Sequence, residues 1–306
     1  MPVEYASSHE RGYYASWTQF GVPAGLFLSV VMFLGLVPLL PKDHGWRLPF
    51  LLSIALVGVG LYIRRTIADS PEFLRVKPTC SKLPARDVWR HHRKMVLLAM
   101  GAKVAENGVF YMLTIFVLIF ATEEYKWYAH YEQNTLLLAM ALASLIMIPA
   151  ILVYGRLSDW IGRKPVYLFG AIFTAVFAFP FFAMVKSGNP TVMTLGIVIG
   201  LVFGWATMYS PQASFFSELF NTRVRYTGTS LAAQITPVFV GGLAPFISVT
   251  LMKLTSSTWP VALYLIGLCV VTIVSVILTP ETVKRTLFDD ESFFNDRTSV
   301  SGEAKA

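Results

Sequence analysis

Lys103, Glu106 and Asn107 stand within one short stretch of an otherwise apolar run, residues 95–120. An ammonium, a carboxylate and an amide at that spacing share a helical face, because positions three and four apart on a helix are neighbours. Lys103, Asn107 and Tyr111 recur at every fourth position, Glu106 lies beside them, and Thr114 continues the stripe. Lysine in such a place can pair with an anionic group of a ligand, and the carboxylate can take up and release a proton. The two can equally neutralise each other as an internal ion pair that only fixes helix packing. Ionisable side chains within a membrane-length apolar run are costly and nearly always face a bundle interior or a watery cavity. A second group, Trp205, Tyr209 and Gln212, falls at i, i+4 and i+7 in the run 191–213. Aromatic edges with a hydroxyl and an amide suit a small carboxylate or zwitterion, though Trp205 and Tyr209 also fit a plain packing role. Gln212 follows Pro211, whose ring frees a carbonyl, and broken backbone within a span tends to border a cavity. Gln234 and Thr236 are weaker candidates of the same kind.

The elements that must position these groups are long and apolar. Of the 306 residues, 55% are hydrophobic and 14% charged, with a mean hydropathy of +0.58. A soluble surface cannot be covered with so few polar groups, so the chain is read as an integral membrane protein. Eight apolar runs are long enough to cross a bilayer: 17–40, 46–63, 95–120, 134–154, 166–185, 191–213, 229–251 and 260–279. Helices are expected, since lipid leaves unpaired backbone groups without partners and no alternating barrel pattern occurs. The fold class is therefore an all-α polytopic membrane protein. The net charge of +7 sits in short loops between runs, where headgroups and topology account for it; nucleic-acid binding is not expected. The two cysteines, Cys80 and Cys269, fall in different environments and imply neither a disulfide framework nor a metal site. No Gly-x-x-x-x-Gly-Lys-(Ser/Thr) loop is present, and no cofactor is called for. Gly21 and Gly25 read as a close-packing face in the first run, as do Gly241 and Gly242 in the seventh.

Loop charge orients the spans. Nineteen of the basic residues fall on the N-terminal side and five on the other, which places both termini in the cytoplasm. The 64–94 loop is long and basic, the 1–16 segment and the 280–306 tail are polar, and the tail is expected to be disordered. The 64–94 loop separates two spans before it, 17–63, from six after it, 95–279. Between the fourth and fifth runs lies Gly155-Arg156-Leu157-Ser158-Asp159-Trp160-Ile161-Gly162-Arg163-Lys164-Pro165, a charged hinge punctuated by Gly155 and Gly162. The glycines allow a tight turn and a close approach of two helices, while Asp159 can cap the next helix or hold an arginine of a neighbouring loop. Glu218, Arg223 and Arg225 are placed to exchange ion pairs with Arg156, Asp159 and Arg163. As lone surface pairs these would contribute under about 1 kcal/mol each.

This hinge resembles that of the major facilitator superfamily, Gly-x-x-x-Asp-(Arg/Lys)-x-Gly-Arg-(Arg/Lys), departing from it at Trp160, where a basic residue is usual. Tyr13 to Gly25, Gly45 to Phe50, Asp69 to Phe73, Ala105 to Tyr111 and Tyr209 to Gly228 resemble the metabolite:proton symporter family within it, which takes up shikimate, citrate, 2-oxoglutarate, proline and betaine. The resemblance spans residues 10 to 282 and implies helices five to twelve of a twelve-helix symporter, so that 17–63 would be the last two helices of the first half and 95–279 the complete second half. It implies proton-coupled symport of a small organic acid or zwitterion by alternating access, in a monomer of the bacterial inner membrane, with the runs 95–120 and 191–213 lining the central cavity; the polar residues of these runs make Lys103, Asn107, Tyr111, Trp205, Tyr209 and Gln212 the candidates for the substrate and Glu106 for the proton, with the hinge residues gating. The partners implied are the substrate, protons and the lipid bilayer. The alternative is a truncated fragment that inserts but does not transport. A membrane enzyme is a weaker rival, because the loops carry no His, Asp or Cys cluster at catalytic spacing.

Overall fold

The computed structural model describes residues 6–7, 9–39, 45–66, 84–122, 132–220 and 225–283. Among the described residues every regular element is helical: α1 (Arg11–Gln19), α2 (Gly21–Gly35), α3 (Leu48–Thr66), α4 (Pro84–His91), α5 (Arg93–Tyr111), α6 (Val117–Thr122), α7 (Gln133–Ile161), α8 (Arg163–Val185), α9 (Pro190–Ile199), α10 (Ala206–Leu219), α11 (Arg225–Thr236), α12 (Leu243–Thr255) and α13 (Trp259–Leu278). Joined end to end where they are continuous, they make eight helical spans long and apolar enough to cross a membrane, as expected: Arg11–Leu39, Gly45–Thr66, Arg93–Phe120, Gln133–Ile161, Arg163–Val185, Pro190–Leu219, Arg225–Thr255 and Trp259–Leu278. Residues 67–83 of the basic loop, Arg223 and the tail from 284 onward lie outside the described residues.

Three of the spans are interrupted by a single wide turn of π-helix, at Met112–Phe116, Gly200–Trp205 and Pro237–Gly241. Such turns carry an extra residue and often mark functional positions. The first follows Tyr111 directly, and the second ends on Trp205.

The hinge differs from expectation in one respect. It is not a loop: α7 runs unbroken through Gly155, Asp159 and Trp160 to Ile161, and only Gly162 turns the chain, with φ 109 and ψ 157. None of Arg156, Asp159 or Trp160 opposes helix, so the helix stops where a residue without a Cβ permits the positive φ. Another helix start follows local rules. The Asn189 side chain accepts from the Thr191 amide at 2.9 Å, with Pro190 opening α9.

α5 is the central element. The span Arg93–Phe120 that it opens is mostly buried, whereas α3, within the span Gly45–Thr66, has no buried residue. It packs chiefly against α13 and α11, while α8 packs against α13 and α10, and α1 and α2 lie on α7, with α1 also on α10. Close packing at Gly21 and Gly25 is not found. A Cβ at either would meet nothing within 4 Å, and Gly25 instead lines an apolar groove between α2 and α3. Gly241 does pack closely, against the Tyr111 ring.

Candidate functional site

The polar stripe of α5 is drawn into one buried network. Lys103 Nζ lies 2.9 Å from Glu106 Oε2 and donates to Gln212 Oε1 at 2.8 Å. Asn107 Nδ2 donates to Glu106 Oε2 at 3.0 Å and to the Lys103 carbonyl at 3.1 Å, and the Trp205 indole Nε1 donates to Glu106 Oε1 at 3.0 Å. Gln212 Nε2 reaches Glu106 Oε2 at 3.4 Å. Lys103, Glu106, Asn107 and Gln212 are all buried, at 7%, 4%, 7% and 4% relative exposure. Every one of these contacts to the Glu106 carboxylate is donated by the partner, the pattern that satisfies an ionised, acceptor-only group.

Two helices supply most of these groups, and a third closes the network. Tyr167 of α8 accepts from Gln212 Nε2 at 3.1 Å and donates to the Ala102 carbonyl at 2.9 Å. α8 comes close enough because Gly170 faces the π-turn of 200–205, where a Cβ would collide with Thr207 and the Gly204 carbonyl. Trp205 is 1% exposed. Its ring is stacked on Tyr209 at 4.3 Å and lies 4.9 Å from Phe110. Two rings thus lie against the indole, and its N–H is spent on Glu106. Tyr209 adds its main-chain carbonyl, which accepts from Gln19 Nε2 of α1 at 3.1 Å.

Tyr111 is not among the residues joined by these bonds. Two turns beyond Lys103, its ring packs on Gly241 and meets Phe110 edge-on at 5.8 Å. Tyr167 was not anticipated, because a lone tyrosine in the apolar run 166–185 carries no signal of its own in sequence. Neither was Thr272 of α13, whose hydroxyl lies against the backbone of α5 at Ala105.

A second buried network sits at the hinge. Asp159 accepts the Gly12 amide on Oδ1 and the Tyr13 amide on Oδ2, both at 2.8 Å. It therefore caps α1, at the second and third amides that an N-cap side chain ordinarily serves, and not the next helix α8. Glu281 does that instead, accepting the Arg163 and Lys164 amides at 3.0 and 3.1 Å. Arg163 is fully buried, its guanidinium 2.8 Å from Asp159 Oδ1 and 3.3 Å from Glu218 Oε1, with Ser158 Oγ at 2.7 Å. The Thr282 hydroxyl completes Glu218 at 2.6 Å. α1 crosses α7 at Gly12 and Gly155, where a Cβ on either would collide with the other chain segment.

Two arginines stand elsewhere. Arg156 is exposed and lies over the Trp160 ring at 5.6 Å, not against Glu218. Arg225 Nε donates to the Ser217 and Phe220 carbonyls at 2.9 and 3.3 Å, tying down the end of α10.

The chain is 30% identical over 297 residues to the inner membrane metabolite transport protein YhjE of Escherichia coli (strain K12), covering 94% of this chain and 66% of that protein. It is 28% identical over 306 residues to the glycine betaine/proline/ectoine/pipecolic acid transporter OusA of Dickeya dadantii (strain 3937), covering 93% and 59%. It is 27% identical over 292 residues to the shikimate transporter of Escherichia coli (strain K12), covering 92% and 66%. The chain thus spans 59% to 66% of the length of these relatives. Among solved structures, the proton:xylose symporter XylE superposes with a TM-score of 0.70 at 17% identity, over 95% of this chain and 69% of that one, a likeness of fold alone. The model of the Major Facilitator Superfamily matches residues 1–245. With eight membrane-length helices among the described residues, this multi-pass membrane chain belongs to the major facilitator superfamily.

Proposed function

We propose that the chain provides the solute path of a secondary transporter, carrying a small organic acid or zwitterion together with a proton by alternating access. Substrate would bind between the helices of 17–63 and the six-span group 95–279, with α5 and α10 presenting Lys103, Asn107 and Gln212 to it. The chain would act as a monomer in the bacterial inner membrane, with both termini cytoplasmic. The names of the relatives, metabolite, shikimate and betaine transporters, agree with this substrate class.

One observation carries the reading: the Glu106 carboxylate is the common acceptor of Lys103, Asn107, Trp205 and Gln212 at the middle of a lipid-spanning bundle. When Glu106 takes up a proton, Lys103 loses its counter-charge and becomes available to the carboxylate of a substrate. When the substrate leaves, the original pair re-forms as the proton departs. A buried ammonium tolerates only brief isolation, so exchange of one carboxylate for another links one proton to one anion. The hinge network would hold the bundle shut at its own end until substrate and proton are both aboard.

A second reading has an observation of its own. The network is buried and satisfied internally, as a purely structural ion pair would be, which fits a chain that inserts without transporting. The purified chain in proteoliposomes, assayed with labelled shikimate, citrate, 2-oxoglutarate and betaine under an imposed pH gradient, separates the two when combined with thiol labelling of Asn107→Cys. Gradient-driven uptake of one substrate, with the thiol reactive in at least one condition, is the expected outcome. No uptake together with a thiol sealed from water throughout would reduce the network to scaffolding.

A further inference from the structure

The helical turn that precedes Lys103 is entered by a side chain of another helix. The Ala105 amide donates to Thr272 Oγ1 at 2.8 Å, and that hydroxyl lies 2.9 Å from the Gly101 carbonyl and 3.2 Å from that of Ala102. In an undisturbed α-helix the Ala105 amide would bond the Gly101 carbonyl directly. A hydroxyl from α13 is therefore wedged into the ladder of α5, one of the known causes of a local bend. Two further hydroxyls reach the same turn: Tyr167 donates to the Ala102 carbonyl at 2.9 Å, and the Thr236 hydroxyl lies 3.3 Å from the Met100 carbonyl and 3.2 Å from that of Ala232 in its own helix. Three successive carbonyls thus meet hydroxyls from three different helices immediately before Lys103. α13 can come this near because Gly101 and Gly108 share one face of α5; a Cβ at Gly101 would collide with Ser275 and one at Gly108 with Leu268.

We propose that Thr272 is a positioning residue for the Lys103–Glu106 pair, its hydroxyl holding the 101–105 turn open and so setting the rotation at which Glu106 meets the Trp205 indole and Lys103 meets Gln212. The role in transport rests on the function proposed above; the geometric role does not. Valine has nearly the shape of threonine but can neither accept the Ala105 amide nor donate to Gly101. An amide abandoned inside lipid has no water to turn to, so the turn must tighten until Ala105 recovers the Gly101 carbonyl. Residues 103–107 turn with it, and the contact between Glu106 and Trp205 changes.

The indole N–H resonance of Trp205 reads that contact. In the full chain held in lipid nanodiscs with nitrogen-labelled tryptophan, it is assigned by its disappearance in Trp205→Phe. Thr272→Val is expected to displace the signal by more than its line width while the other indole signals hold their places. Thr272→Ser, which keeps the hydroxyl, should return it to the wild-type position, and Thr236→Val, which deletes a hydroxyl shared between the Met100 and Ala232 carbonyls and accepts no amide of α5, should leave it unmoved. If Thr272→Val does not insert, Thr272→Ala makes the same comparison against Thr272→Ser. A signal that stays in place without the hydroxyl, or that moves as far with serine as with valine, overturns the inference. The measurement involves no uptake, so a wild-type chain that moves no solute refutes the transport reading alone, and an unmoved indole refutes only this one.

Discussion

The network around Glu106 and the network around Arg163 are both buried and both built on ion pairs, yet they are wired differently. Around Glu106, four side chains converge on one carboxylate, and the longest sequence separation is bridged by side chains alone. Around Arg163, the carboxylates of Asp159 and Glu281 hold main-chain amides at the starts of α1 and α8, so helix ends are fastened as well as charges. A carboxylate surrounded by side-chain donors can change partners while the backbone stays in place. One that caps a helix cannot let go without moving that helix. The difference separates a site that trades partners from a latch that opens as a unit.

Variants of each network can break that distinction or sharpen it. Lys103→Ala should have the largest effect on transport: uptake lost altogether, with insertion into the membrane unchanged, as read by flux and by the amount of chain in the bilayer. Retained uptake with normal affinity would remove Lys103 from the site. Arg163→Ala should have the largest effect on stability, because Asp159 and Glu218 are left as buried carboxylates without their cation; a loss of about 3–5 kcal/mol, followed by thermal unfolding in detergent, is expected. An Arg163→Ala chain as stable as the parent would mean the latch is slack. Glu106→Gln should discriminate more finely, keeping exchange of labelled substrate across the membrane but losing accumulation driven by a pH gradient; unchanged accumulation would acquit Glu106 of carrying the proton. Tyr167→Phe removes one hydroxyl from the exchange network and should cost about 1 kcal/mol, with a weaker apparent affinity for substrate and no effect on the hinge. Should it instead loosen the hinge, the two networks are one.

The spans were legible in the sequence because a bilayer imposes a length and a hydropathy that no soluble fold demands. Their ends were not, and the hinge shows why: Arg156 and Asp159 look like loop residues by polarity, but nothing in them stops a helix, and α7 continues to Ile161, ending only where Gly162 turns the chain. The Lys103–Glu106–Asn107 stripe stood out because charges are rare in apolar runs. Tyr167 and Thr272 did not, since a single hydroxyl in such a run reads as ordinary packing until the helix it touches is known. Glu281 was hidden for a different reason. Its partners, the amides of Arg163 and Lys164, are more than a hundred positions away and carry no side-chain signature at all. Trp205 was read both as an aromatic surface for a ligand and as plain packing; two rings lie against it, and its N–H faces Glu106.

The crossing of α1 over α7 limits how the bundle could come apart. At Gly12 and Gly155 the two backbones approach so closely that a Cβ on either would meet the other's carbonyl, with Ser16, Ser158 and Arg163 packed around them, and beside the crossing Asp159 grips α1 by two amides. A helix seated that deeply is barred from gliding lengthwise, since the next residue along would bring a Cβ into the neighbouring carbonyl. It is free only to lift away, like a zip opened from one end, and whatever force does so must first unfasten the tooth at residue 159.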